Sequence, residues 1–338
     1  MLGWLRRHVF LVGLALVLVA AFSAPEIGKV GGPLSPEHWQ GWLVVGIFLS
    51  SGLELKTSDL RDAVRDHRLQ IFVQGVSLVV APIVFWAVAR ALGFAPLPAA
   101  LLEGFVVLGC LPTTVTSGVA FTRASGGDEA GAVFNATLGN LLGIVVTPFS
   151  ILLATGRHGS VPASAIATQL GWQVAAPIAF GQLLQWVMGA RLRRFRPWNG
   201  PLSIVFLLVL IYLVFCESIA RGFSVSALDV VFAIAIAALL HGALYAIAFR
   251  ASALSVFRFS RPKRTAAVIG STQKAAALGL PLLAVLYQGD ARLGLIALPL
   301  LIYHPLQLFV AGSATSAWRR FNGAVPPPDP TVPENVAR

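Results

Sequence analysis

A proline inside an apolar run constrains this chain more than any other single feature. The run spans Leu101–Ala124 and carries Pro112 near its middle. Proline has no N–H and clashes with the preceding turn, so a helix that crosses a bilayer there must break. Backbone freed by the break needs surrounding protein or a water-filled cavity. The hydroxyl residues that follow Pro112 are Thr113, Thr114, Thr116 and Ser117. This pattern is typical of the midplane site of a secondary transporter, although a kink patched by neighbouring hydroxyls explains it equally well.

The composition excludes a soluble globule. Of the 338 residues, 57% are hydrophobic and 12% are charged, with a mean hydropathy of +0.79. Ten apolar runs are long enough to cross a bilayer. They lie near 8–24, 39–55, 69–89, 101–123, 130–153, 166–188, 202–219, 228–249, 266–287 and 295–317. We therefore predict an all-α polytopic membrane protein with ten transmembrane helices. Cys110 and Cys216 fall inside apolar runs, which favours buried fillers over a disulfide or a metal pair.

Basic residues set the orientation of the chain in the membrane. The first run resembles a signal peptide, but Pro25 would hinder cleavage, so we predict an uncleaved first span. With the N-terminus inside, nineteen of the 25 Lys and Arg residues lie inside, five lie outside and one lies within a span. This bias predicts that both termini are cytoplasmic, in a multi-pass protein of the plasma membrane. The net charge of +11 is then a topology signal, and no nucleic-acid partner is predicted.

The chain divides into a transmembrane domain and a tail. We predict that residues 1–321 form the transmembrane transporter domain and that residues 322–338, which are rich in proline, form a disordered cytoplasmic tail. The segment Lys56–Asp66 between the second and third runs is predicted to form a short amphipathic surface helix. The bilayer is therefore the main partner of the chain, and the sequence leaves the oligomeric state open.

A second broken stretch occupies a position equivalent to the first. Ile269–Pro281 holds Ser271, Thr272, Gln273 and Lys274 within the ninth run, whereas Pro112 lies in the fourth. Each is the fourth element of a five-span half, so the halves would insert with opposite orientations. We therefore predict two inverted five-helix repeats, at about 8–153 and 166–317, whose discontinuous helices cross at the midplane.

Lys274 is the basic residue that lies within a span. An unpaired charge at the bilayer centre costs about 3 kcal/mol on insertion scales, so such residues face a cavity or a partner. Lys274 lies ten residues after Arg264, and a helix rises ~1.5 Å per residue, which places it near mid-membrane. We predict a fixed positive charge in the binding site. The alternative is a lysine that snorkels from a misjudged helix end.

Other polar residues inside the spans complete the predicted site. Ligand coordination and helix–helix hydrogen bonding, worth about 1 kcal/mol each, are comparable explanations for the amides and hydroxyls. The candidate solute- and ion-binding residues are Gln74, Thr113, Thr114, Thr116, Ser117, Asn135, Thr137, Asn140, Ser271, Thr272, Gln273, Lys274 and His304. No zinc-protease, phosphate-loop or hydrolase-elbow motif occurs. A Ser117–Lys274 nucleophile and base pair is the single enzymatic alternative, and we predict that the protein is not an enzyme.

Several motifs in this sequence resemble one transporter family. They are Ser51-Gly52-Leu53-Glu54-Leu55, Asp59-Leu60, Gly109-Cys110-Leu111-Pro112, Gly126-Gly127-Asp128-Glu129-Ala130, Phe134-Asn135, Ser271-Thr272-Gln273-Lys274, Leu278-Gly279 and Pro299-Leu300-Leu301-Ile302-Tyr303-His304-Pro305. Together they resemble bile acid:sodium symporter-like proteins, in the branch related to the seventh member of solute carrier family ten. The resemblance covers about residues 5–320.

The resemblance implies a fold and a mechanism. Spans one, two, six and seven would form a panel and the other six a core with crossed broken helices, and the core would move against the panel. Sodium is the one coupling ion implied, with no other cofactor. By position, its ligands would be Gln74, Ser117, Asn135, Asn140, Thr272 and Gln273.

The sequence departs from the family pattern at two positions. Gly118 stands where symporters offer an amide, and Lys274 lies close to where they place an acidic residue. A compact ammonium can occupy the space of a sodium ion. We predict a secondary transporter of a small organic anion that works by alternating access, with sodium coupling left open. The alternative is a membrane regulator of calcium homeostasis that moves no solute itself.

Overall fold

The computed structural model describes residues 9–54, 66–156, 168–192, 196–222 and 225–323, and in these ranges all regular secondary structure is helical. The α-helices, in chain order, are α1 (Val9–Ser23), α2 (Pro25–Gly28), α3 (Pro36–Glu54), α4 (His67–Gly75), α5 (Ala81–Ala91), α6 (Ala99–Cys110), α7 (Thr116–Ala124), α8 (Glu129–Thr155), α9 (Ala176–Leu192), α10 (Arg196–Ala220), α11 (Ala227–Ala251), α12 (Arg261–Thr272), α13 (Ala276–Leu286) and α14 (Leu293–Phe321). Short π-helical turns precede α5 and α9, at Val76–Val80 and Gly171–Ala175.

The helices are consistent with a polytopic membrane protein. Six segments of the described chain are long and apolar enough to cross a bilayer: His67–Phe94, Glu129–Thr155, Trp198–Ala220, Ala227–Ala251, Arg261–Leu286 and Leu293–Phe321. Two shorter apolar helices are α1 and α6. Ten crossings and an inverted repeat remain predictions. Most of the predicted surface helix at 56–66 and of the tail at 322–338 lies outside the described residues.

The helices pack in two groups. Helices α1, α3, α9 and α10 pack on one another and form a group that we call the panel. Helices α4 to α8 and α11 to α14 form the second group, the core. The segment Arg261–Leu286 lies deepest, because 89% of its most apolar window is buried against 33–50% for the other five. The broken ninth run therefore lies at the centre of the protein.

Both predicted breaks are present, and they contact each other. Helix α6 ends at Cys110 and α7 begins at Thr116, whereas α12 ends at Thr272 and α13 begins at Ala276. The N–H of Ala275 donates to the carbonyl oxygen of Pro112 at 2.9 Å. The two extended segments thus meet through a backbone hydrogen bond.

Several other prolines do not interrupt their helices. Helix α8 continues through Pro148 to Thr155, and α14 runs unbroken through Pro305. Pro281 likewise lies inside α13. Membrane helices tolerate proline where neighbouring helices and hydroxyls satisfy the freed backbone groups.

Panel and core are joined at one end of the bundle, which we call the Gly289 end. The Nε2 group of Gln40 donates to the Ala284 carbonyl at 2.8 Å, and Arg221 Nη1 donates to the Gly289 carbonyl at 2.9 Å. Gln169 Nε2 also donates to Gln288 Oε1 at 2.8 Å. Below these contacts, apolar side chains of the panel pack against those of the core. They are Leu210, Ile211, Val214 and Phe215 against Leu280, Leu283, Leu293 and Ala297.

The opposite end, which we call the Asp66 end, is tied within the core. Lys263 Nζ lies 2.6 Å from Asp66 Oδ2, which joins the starts of α12 and α4. Asn322 Nδ2 donates to the Ser125 carbonyl at 2.9 Å. Burial raises the pKa of Asp66, but the hydrogen bonds from Lys263 and from the Leu69 N–H outweigh it, so the pKa lies below its ordinary value. The core therefore holds together at this end through polar contacts of its own.

Candidate functional site

A cavity lies between panel and core where the two breaks cross. It encloses about 840 Å³ of empty space up to its open mouth. The core contributes residues from both breaks and from α8, and the panel contributes residues from α3, α9 and α10. The lining residues are Phe48, Ser51, Glu54, Thr114, Val115, Thr116, Thr137, Asn140, Ile144, Ile178, Ser203, Ala275, Ala277 and Leu278. Four predicted site residues therefore line one cavity: Thr114, Thr116, Thr137 and Asn140.

Two helix N-termini lie at this cavity without a side-chain cap. Helix α7 begins at Thr116 and α13 at Ala276, and neither N-terminus donates a hydrogen bond to a capping side chain. The first N–H groups of a helix have no partner within the helix, and they carry its partial positive charge. Oxygen atoms of an anionic group are natural partners for such donors. These uncapped N–H groups are the feature of the cavity that suits an anionic oxygen; among the described residues its lining holds one carboxylate, that of Glu54, and no basic side chain.

Lys274 is fully buried and does not line the cavity. Its ammonium donates to three backbone carbonyl oxygens, those of Ser77 at 2.9 Å, Gly109 at 2.9 Å and Leu111 at 2.8 Å. An ammonium has three N–H donors, so these contacts use all of them. Lys274 thus finds its partners within the protein and does not touch a ligand in the cavity.

The three carbonyls are free because of two breaks in regular helix. Gly109 and Leu111 lie at the end of α6, where the last carbonyls of a helix have no partner in the next turn. In the π-helical turn Val76–Val80 the N–H of Ala81 pairs with the Val76 carbonyl five residues earlier. With the same five-residue spacing, the Ser77 carbonyl would pair with the N–H of residue 82, but residue 82 is proline and has no N–H. The Ser77 carbonyl is therefore left for Lys274.

Gln307 on α14 holds the second break, and it is not among the residues predicted from the sequence. Its Oε1 accepts the N–H of Lys274 at 2.7 Å, and its Nε2 donates to the Lys274 carbonyl at 2.9 Å. Gln273 Nε2 donates to the Gln307 carbonyl at 3.3 Å, and Ser117 Oγ donates to Gln273 Oε1 at 3.1 Å. The only signal available from sequence is a polar residue within an apolar helix, one turn after His304.

Tyr303 provides a second contact to this break. Its hydroxyl donates to the Thr272 carbonyl at 3.1 Å and lies 2.9 Å from His241 Nδ1. The hydroxyls of Ser271 and Thr272 donate to carbonyls within α12, those of Ala267 and Val268. The hydroxyls of these two predicted site residues therefore bond to the backbone of α12, and neither residue lines the cavity.

His304 lies at the panel side of α14. Its Nδ1 is 3.1 Å from Gln307 Nε2, and its ring meets Phe10 of α1 edge to face at 5.2 Å between centroids. It is not among the residues that line the cavity.

A cluster of buried oxygens lies beside the first break. Gln74 Oε1, Ser77 Oγ, Thr113 Oγ1 and Asn135 Oδ1 have no hydrogen-bond partner among the described residues. Gln74 Nε2 donates to the Asn135 carbonyl at 2.9 Å. A Cβ atom at Gly139 would lie 3.0 Å from Thr113 Cγ2 and 3.1 Å from Gln74 Oε1. Span three, the first break and α8 therefore meet at this point.

The chemistry of this cluster fits a hard cation. Buried oxygens without donors are costly unless an ion or ordered water satisfies them. Carbonyl and hydroxyl oxygens are the ligands that such cations take. No group of three or more His, Cys, Asp or Glu side chains gathers in the described part of the chain, so this cluster differs from a transition-metal centre. Cys110 and Cys216 are buried and unbridged, as predicted.

Comparison with known proteins assigns the family. Residues 8–320 match the model of the SBF-like CPA transporter family. Sodium/bile acid cotransporter 7-B of Xenopus laevis is 37% identical over 308 residues, which cover 90% of both chains. Sodium/bile acid cotransporter 7 of Danio rerio is 36% identical over 307 residues, covering 90% of this chain and 91% of the relative. The same-named protein of Mus musculus is 35% identical, with 90% of both chains covered.

Proposed function

Because the chain belongs to the SBF-like CPA transporter family, we propose that it carries a small organic solute across the membrane by alternating access. The observation that supports this most is the cavity at the crossing of the two breaks, between panel and core. Its position matches the midplane sites of transporters that use discontinuous helices. The family is one of transporters, which favours neither an enzyme nor a regulator that moves no solute.

The lining points to a polar solute with an anionic group. Residues at the starts of α7 and α13 line the cavity, and the N–H groups there, which have no side-chain cap, would hold the negative oxygens. The side chains of Ser51, Thr114, Thr116, Asn140 and Ser203 offer hydrogen bonds around that position. A hydroxylated carboxylate or a similar small anion satisfies both features.

The closed Gly289 end supports the alternating-access proposal. Panel and core are joined there by the hydrogen bonds of Gln40, Gln169 and Arg221, whereas the cavity lies toward the opposite half, beside Glu54 and Ser203. The bias of basic residues would place the Asp66 end at the cytoplasm. In that orientation the structure is the inward-facing state, and outward opening requires these hydrogen bonds to break.

We further propose that sodium is co-transported, held by the cluster beside the first break. The oxygens of Gln74, Thr113 and Asn135 would be its main ligands, because they lack partners among the described residues. Ser117 and Gln273 bond to each other, and Thr272 bonds to its own helix. Asn140 lines the cavity and would more readily contact the solute.

A cross-link at the Gly289 end tests alternating access. Gln169→Cys and Gln288→Cys, joined by a short bifunctional thiol reagent, should hold panel to core and abolish solute exchange in vesicles. Thr116→Cys should then react with an impermeant maleimide from the face opposite the cross-link and from that face alone. Exchange that continues in fully cross-linked protein would contradict the mechanism. The matched control is a cross-link within the panel, at Asn199→Cys and Ser50→Cys.

The solute is identified by thermal stabilisation of the purified protein. A ligand that binds only the folded state raises the melting temperature as its concentration rises. Small hydroxylated carboxylates should stabilise the wild type more than their neutral amides, and Thr116→Val should weaken the effect. Thr155→Val, at the far end of α8, is the control. Equal stabilisation by acid and amide would overturn the anion assignment.

A further inference from the structure

The ammonium of Lys274 fills a complete site of its own, which lies outside the cavity and adjoins the oxygen cluster at Ser77. We propose that Lys274 is a resident cation of the crossing, and that its removal exposes a site for a free primary ammonium ion. The part of this proposal that concerns ion coupling to transport rests on the proposed function. Its main readout is the stability of purified protein, so its failure and the failure of transport can be told apart.

The geometry sets the chemistry of the site. Three carbonyl oxygens lie 2.8–2.9 Å from Nζ, and each accepts a hydrogen bond. A neutral amine has two N–H donors, whereas an ammonium has three. Three acceptors at these distances match the three donors of the charged form. The residue itself is 0% exposed, so water does not complete its coordination from outside.

Backbone dipoles balance this charge. Within the described residues no carboxylate forms an ion pair with Lys274, and two of its three acceptors end α6. The C-terminal end of a helix carries a partial negative charge. Rings of backbone carbonyls also replace the hydration shell of cations in selective channels. The site therefore has the character of a cation site built from main chain.

One charge thereby ties three elements together. Lys274 follows α12, its acceptors Gly109 and Leu111 end α6, and its acceptor Ser77 lies in the π-helical turn of span three. The ammonium is part of the lysine side chain and cannot diffuse away. The site it occupies therefore needs no ion from solution in any state that keeps the three hydrogen bonds. The oxygen cluster around Gln74 remains for an exchangeable cation. The crossing would thus combine one permanent and one transported positive charge.

Amine rescue of Lys274→Ala tests the proposal directly. n-Propylammonium contains the three carbons and the nitrogen that lie at the end of the lysine side chain. Purified Lys274→Ala should melt several degrees below wild type, and propylammonium should raise its melting temperature saturably. Tetramethylammonium, which has no N–H donor, should not do so at the same concentration. Wild type should respond to neither amine, because its site is already filled.

Lys274→Met keeps the proposal testable if the alanine variant does not fold. Methionine fills nearly the same volume but provides no charge and no donor, so this variant should also melt well below wild type, and propylammonium should not rescue it. Lys263→Met makes the same change at a partly exposed lysine of α12 and is the matched control. Lys274→Met that melts with wild type, or equal rescue of Lys274→Ala by both amines, would overturn the proposal.

Discussion

The two breaks at the crossing have the same outline but different means of support. Each is a short extended segment between two helices, and each leaves carbonyls unpaired at the end of the first helix. At the first break the carbonyls of Gly109 and Leu111 receive the Lys274 ammonium. At the second break, neutral groups of α14 pair with the free backbone. The Tyr303 hydroxyl binds the Thr272 carbonyl, and the Gln307 amide binds the N–H and the carbonyl of Lys274.

Because of this difference, the first break depends on the second more than the second depends on the first. The second break supplies the charged side chain that satisfies the first, whereas the first returns two neutral contacts, the Pro112 carbonyl and the Ser117 hydroxyl that donates to Gln273. Damage to the second break should therefore spread to the first, because it displaces Lys274. Similar positions in the two halves of the chain thus do not make the two breaks interchangeable.

The largest expected effect comes from Gln307→Leu. This change removes two buried hydrogen bonds to the Lys274 backbone, and each group left unpaired costs about 1–3 kcal/mol. Hydrogen exchange followed by mass spectrometry should show faster exchange around both residues 272–276 and residues 109–116. Gln40→Leu, which loses one bond at the Gly289 end, is the control. Faster exchange confined to the second break would refute this unequal dependence.

A smaller effect is expected from Tyr303→Phe. It removes the hydroxyl that donates to the Thr272 carbonyl and lies 2.9 Å from His241 Nδ1, and each such buried bond contributes about 1 kcal/mol. The melting temperature should fall less than in Gln307→Leu, with exchange raised near residue 272. Tyr212→Phe removes a comparable hydroxyl contact, to the Ala24 carbonyl inside the panel, and should leave both breaks unchanged. An equal response near the breaks in both variants would mean that the effect is not local.

The smallest effect is expected at the Asp66 end, away from both breaks. The pKa of Asp66 is lowered in the folded protein, so its contribution is present above the unfolded pKa and is lost as pH falls through the folded pKa. Because the pair with Lys263 is partly exposed, Asp66→Asn should cost less than ~1 kcal/mol at neutral pH. The difference in melting temperature between Asp66→Asn and wild type should shrink as the pH falls from neutral to acidic. A loss that persists at acidic pH would assign the effect to packing.

The breaks were predictable from the sequence because a single residue in each predicts an interruption of the helix or a buried polar site. Pro112 cannot continue a helix, and Lys274 is costly in a membrane without partners, so each residue marks the crossing by its own chemistry. Thr114, Thr116, Thr137 and Asn140 line the cavity, and their role in binding stays a prediction. These signals are local in the chain.

The partners of Lys274 could not be predicted, because they are backbone atoms far away in sequence. The Ser77 carbonyl is 197 residues from Lys274 and is free only because of a π-helical turn before Pro82. Gln307 was visible as a polar residue in an apolar helix, but its pairing with the Lys274 backbone depends on how α14 packs against the break. Long-range packing thus decides which polar residues line the cavity and which bond to the protein backbone.

We propose that the crossing binds an exchangeable cation beside the ammonium of Lys274. The most direct test is the melting temperature of purified protein titrated with sodium against potassium at constant ionic strength, for wild type and Gln74→Leu. Gln74→Leu removes one unpartnered oxygen of the cluster. We expect saturable stabilisation of wild type by sodium over potassium, and its loss in Gln74→Leu. Identical melting in the two salts for wild type, or a sodium effect that survives in Gln74→Leu, would contradict it.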